Sequence, residues 1–67
     1  MKLIKLNDLD IGITYINTDR IISVCSWIEH DTFQIREGSA VEYWDGKGIV
    51  ELVVTERAEE IQEMVNQ

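Results

Sequence analysis

The longest break between alternating apolar runs in the first 54 residues is the six-residue stretch Asn7 to Gly12, and this limit constrains the fold most. Parallel strands need crossovers of about a dozen residues or more, so runs joined this closely pair antiparallel. The first strand is Lys2 to Leu6, and "NDLDIG" after it is rich in turn formers. "ITYIN" is β-branched and aromatic, and "NTDR" turns the chain through Asn17 and Asp19. "IISVCSWI" sets Ile22, Val24 and Ile28 on one face against Ile21, Cys25 and Trp27 on the other, which predicts a central or two-sided strand. "EHD" then turns the chain, "TFQIRE" alternates with Phe33 and Ile35 inward, and "EGSA" breaks the pattern. "VEYW" and "IVELVV" are strands joined by "DGKG", where Asp45 and Gly46 make an aspartate-glycine hairpin turn and Gly48 adds a second permissive position.

From Thr55 the period changes from two to that of a helix. Ala58, Ile61 and Val65 fall on one stripe beside Met64, while Glu59, Glu60, Gln62 and Glu63 face away. Thr55 is the expected N-cap, and the acids near the start suit the positive end of the helix dipole. The expected fold is therefore α+β: a small antiparallel meander of five or six strands followed by one C-terminal helix at about residues 56–66, in a single domain over 1–67. A chain of this size buries only about 60% of the surface that its unfolded form exposes. One cysteine forms no internal disulfide and one histidine anchors no zinc site, so neither staple of small scaffolds is present. Self-association is the expected supplement to the core. A helix of some 11 residues is marginal in water and needs a surface to dock on.

Thirteen acids against six bases give a net charge of −7, and the bases are scattered along the chain. Repulsion from phosphates disfavours sequence-independent nucleic-acid binding. No run of 18 apolar residues suits a membrane helix. The free thiol and the lack of an export-signal pattern near the start point to the cytoplasm.

Candidates for chemistry are few. "DGKG" is followed by a strand instead of a helix, so it lacks the setting of a phosphate loop. Glu29, His30 and Asp31 are consecutive and do not converge on a metal, and Cys25 alternates with apolar neighbours as a packed residue does. No catalytic residue, metal site or cofactor is expected. Tyr43 and Trp44 are adjacent on a strand, which leaves one of them at a surface or interface.

The order "IKLNDLDIGITYIN", "INTDRIISV", "TFQIREG" and "VELVVTERAEEIQEMV" resembles the short FlbD-like proteins, also called SwrD-like or swarming motility proteins. The resemblance is carried by Leu6 and Asn7, by Ile16, Asn17, Asp19 and Ile21, by Gly38, and by Val53, Val54, Glu59, Glu60 and Ile61. It implies a small cytoplasmic β-rich protein with a terminal helix, and it assigns no catalytic residues. Similar short proteins occur in phages, so the compartment it implies is a bacterial cytoplasm or, for a phage-encoded chain, that of the host. The residues "SAVEYWDGKGI" are extra to the family pattern, and Thr55 to Arg57 lacks the serine-containing approach to the helix that is usual there.

The favoured reading is a non-enzymatic interaction module that self-associates and binds a protein partner. Tyr43, Trp44 and Trp27 are its aromatic anchors and Glu59, Glu60 and Glu63 its acidic rim. A second reading is an inhibitor, or a sponge for a nucleotide-like ligand, with Trp44 stacking on a ring and Lys47 or Arg36 on a phosphate at a subunit interface. A third is an acidic mimic of DNA.

Overall fold

A computed structural model describes residues 2–67. The two hairpins are built from β1 (Leu3–Asp8) with β2 (Gly12–Asn17), and from β3 (Ile21–His30) with β4 (Ile35–Trp44). β5 (Ile49–Val54) pairs with β4, and α1 (Ala58–Asn66) closes the chain. The five strands form one antiparallel sheet in the order β2-β1-β5-β4-β3, so the α+β class read from the sequence holds. β3, β4 and β5 follow one another as a meander, while the step from β2 to β3 runs from one edge strand to the other.

That step decides the shape. A single 3₁₀ turn, Thr18–Arg20, makes the whole connection. Four Cα steps span at most about 14 Å, whereas the edges of a flat five-stranded sheet lie about 19 Å apart. The sheet therefore curls, bringing β2 round toward the far end of β4. The start of the link is pinned by the Thr18 N–H donating to the Lys2 carbonyl at 2.9 Å and by Asn17 Oδ1 accepting from the Asp19 N–H.

β1 meets β5 at one corner only, where Asp8 stands opposite Val54. Leu9 N–H donates to the Val53 carbonyl and Thr55 N–H to the Asn7 carbonyl, each at 3.0 Å. The Glu56 carboxylate reinforces the corner by accepting from both the backbone N–H and the side-chain amide of Asn7. Inside the curl, Ile4, Leu6 and Ile16 from the first hairpin face Val41, Leu52 and Val54 from β4 and β5, and Ile61 of α1 completes the core. Ser39 is the buried polar residue of this core, and its hydroxyl donates to the Glu56 carbonyl at 2.7 Å.

Several expectations are corrected. Asp31 to Gln34 turns the chain, and residues 35–44 form one strand, so "EGSA" continues the strand where a break was expected. The reason lies in Gly38, on which a Cβ would stand 2.9 Å from Trp27 Cζ2 and closer still to the Val54 carbonyl oxygen. Only glycine lets β4 and β5 approach there. Glu29 and His30 extend β3 instead of turning it, and the turn begins at Asp31. β3 is an edge strand and not a central one. Phe33 is not inward but 94% exposed, and Ile35 is exposed with it, because β5 ends opposite Ser39 and the rest of the β3–β4 hairpin runs on as a bare two-stranded ribbon. Thr55 does not cap the helix: its N–H is held by Asn7, and Arg57 is the N-cap residue, with no side-chain capping bond.

Candidate functional site

An aromatic groove forms where the curled edge approaches the β4–β5 turn. β4 ends in Tyr43 and Trp44, and the turn that follows is tightened by Asp45, whose Oδ1 accepts from the N–H groups of Lys47 at 2.7 Å and Gly48 at 2.9 Å. Gly46 takes φ +99°, the positive value that the aspartate-glycine pair predicts. Those two backbone N–H groups, with smaller help from the Arg20 guanidinium, hold the Asp45 carboxyl below its ordinary pKa. The turn is thus a rigid base for the aromatic pair.

Opposite it stands β2. Tyr15, cross-strand from Lys5, is 62% exposed. An open groove of about 440 Å³ lies between these elements, with Tyr15, Tyr43 and Trp44 as its aromatic walls and Arg20 and Asp45 at its polar end. Trp44 is 44% exposed and Tyr43 is partly packed on the core. Alternation sends adjacent residues of a strand to opposite faces, yet both line this groove because it sits at the rim of the sheet. Three flat side chains beside an arginine make a platform for stacking and for apolar contact. Among the described residues no group of three His, Cys, Asp or Glu side chains is placed to hold a metal ion, and no helix is long and apolar enough to cross a membrane.

The other residues singled out in the sequence lie elsewhere. Lys47 sits in the turn but not in the groove wall, and Arg36 stands opposite Glu29 on the protruding ribbon, so neither joins Trp44 at one site. Trp27 packs over Gly38 and lines a separate small cleft with Glu37, Arg57 and Glu59. Its indole N–H is buried without an acceptor. Glu60 pairs with Arg57 at 3.0 Å, which leaves Glu59 and Glu63 on the polar outer face of α1.

Tyr15 and Arg20 join the site without having been marked in the sequence. They meet Tyr43 and Trp44 only through the short link between the edge strands, which local pattern does not reveal. Comparison with known proteins gave no match to any family, curated sequence or solved structure.

Proposed function

We propose that this chain is a non-enzymatic interaction module of the cytoplasm that self-associates and binds a protein partner, with Tyr43 and Trp44 as the anchors for that partner. The observation that carries this reading is the exposed aromatic groove. A small domain has placed tyrosine and tryptophan side chains around one concavity, where interfaces concentrate binding energy. The many other exposed apolar residues, among them Leu3, Ile13, Ile28, Phe33 and Ile35, support self-association. Membership of the FlbD-like proteins belongs to the same proposal.

The test is selection of binding peptides from a display library on the wild-type protein, with affinity then measured on variants. Trp44→Ala and Tyr43→Ala are expected to weaken the selected ligands by at least about thirtyfold, the scale of a hot-spot truncation, while Glu63→Ala leaves them nearly unchanged. Equal binding by all three variants removes the groove from the reading. Light scattering at two protein concentrations tests self-association separately.

Arg20 favours a second reading, a flat anionic ligand stacked on Trp44 with its charge on the guanidinium. The net charge of −7 opposes it. Calorimetric titration with a panel of nucleotides decides, and an absence of heat discards this reading.

A further inference from the structure

We infer that two copies of this chain pair through the outer edge of β3, antiparallel about a two-fold axis at Cys25, and so join their sheets into one. The inference rests on the self-association proposed above and gives it a surface.

β3 and its partner β4 are the longest strands, at ten residues each, and among the described residues no strand pairs with the outer side of β3. The other edge strand, β2, is shorter and faces the Tyr43–Asp45 segment across the groove. A free edge is a row of unpaired N–H and C=O groups, and its natural occupant is another strand. Proteins that keep such an edge single guard it with lysine, proline or inward-pointing charge. From Ile21 to Ile28 β3 carries no charge and no proline. Its one irregularity falls between Ile21 and Ser23 and leaves the ladder regular from Ser23 to His30.

The register follows from charge and shape. A two-fold axis normal to the sheet keeps every residue on its own face. Centred on Cys25, it sets Ser23 opposite Trp27 and Val24 opposite Ser26, and it brings Ile22 of each copy beside Ile28 of the other. These two isoleucines are 53% and 60% exposed in the single chain. Glu29 then falls opposite Ile21, so between Ile21 and Glu29 no like charges are opposed. Moving the axis by one residue parts the isoleucines: at Val24 it sets Ile22 against Ser26, and at Ser26 it sets Ile22 against His30.

Size agrees. A compact monomer of 7.8 kDa exposes about 4,400 Å², and this chain exposes 4836 Å². Its radius of gyration is 12.2 Å, against about 10.9 Å for a compact domain of this length. The chain is thus more extended than a compact monomer of its size, as a subunit that completes its sheet with a second copy is.

Cys25, which alternation with apolar neighbours reads as packed, is instead exposed because β3 lies at the sheet edge, and it supplies the probe. Directly opposed residues of an antiparallel pair have Cα atoms about 4.5 to 5.5 Å apart, inside the disulfide range. Oxidation of the wild-type protein with diamide, which takes up the two electrons and two protons of the paired thiols, is expected to give a disulfide-linked dimer of the same mass as the untreated species. Cys25→Ser combined with Glu29→Cys is expected to crosslink at least about tenfold more slowly, because that register holds the new thiols apart. Cys25→Lys places two ammonium groups in opposition at an exposed site, and the expected product is a monomer with unchanged far-ultraviolet circular dichroism. A dimer that resists crosslinking at Cys25, that crosslinks equally fast at residue 29, or that survives Cys25→Lys overturns the β3 edge while self-association stands. A wild-type monomer at every concentration overturns both.

Discussion

Gly38→Ala sets two effects of opposite sign against each other, and the structure decides between them. Glycine inside a strand is about 0.5 to 1 kcal/mol less favourable than alanine, so propensity alone predicts a gain. The added methyl, however, lands 2.9 Å from Trp27 Cζ2 and closer still to the Val54 carbonyl oxygen, which is backbone and cannot rotate away. Overpacking of this kind costs about 1 to 3 kcal/mol, and a backbone neighbour places it at the upper end. The expected net loss is about 2 kcal/mol, from a total of roughly 3 to 10 kcal/mol for a domain of this length. That loss lowers Tm by about 8 to 16 °C. Urea unfolding followed by tryptophan fluorescence at fixed protein concentration measures it. Gly48→Ala is the control: nothing stands within 4 Å of its added Cβ and its φ is not positive, so a gain of about 0.4 to 1 kcal/mol is expected. A Gly38→Ala protein within about 0.5 kcal/mol of wild type, or more stable, refutes the close approach of β4 to β5 and with it the packing of Trp27.

Ile61→Ala removes the one buried residue of a nine-residue helix that is too short to persist alone. A loss of about 2 to 5 kcal/mol is expected, together with a fall in helical signal ahead of the main unfolding transition, and a loss under 1 kcal/mol contradicts the docking of the helix. Asp45 is depressed in the folded state, so the stability it lends the turn is present above its ordinary pKa and fades as the pH falls through the lower folded value. The amide resonances of Lys47 and Gly48 should therefore titrate with a midpoint below 3.8, and a midpoint at or above it contradicts the turn bonding.

Features fixed by near neighbours were legible in the sequence. Alternation along Ile49 to Val54, the aspartate-glycine turn and the helical stripe through Ile61 depend on residues a few places apart, and each is found. What failed depended on distant partners. Gly38, Ser39 and Ala40 look like a loop because they are small, yet they are strand because Val54 and Trp27 crowd the first and the Glu56 carbonyl takes a bond from the second. The two-faced apolar pattern of β3 signalled a central or two-sided strand. One of its faces is met by the helix and the core while the other is open, so the pattern reads the same at an edge. Tyr43 and Trp44 were visible as an aromatic pair, whereas Tyr15 and Arg20 join them only because three residues must bridge the two edges of the sheet.

The single rung between Asp8 and Val54 bears on how this molecule exchanges its amide hydrogens. The first hairpin is tied to the remainder of the sheet by the bonds at Asn7, Leu9 and Thr55 and by the Glu56 clamp, while β3, β4 and β5 share continuous ladders. An excursion that breaks the corner frees these three amides together and wets one half of the core without disturbing the long ladders. Protection measured residue by residue should therefore fall into two tiers, the corner amides exchanging as one group through partial opening and the β4–β5 amides waiting for complete unfolding.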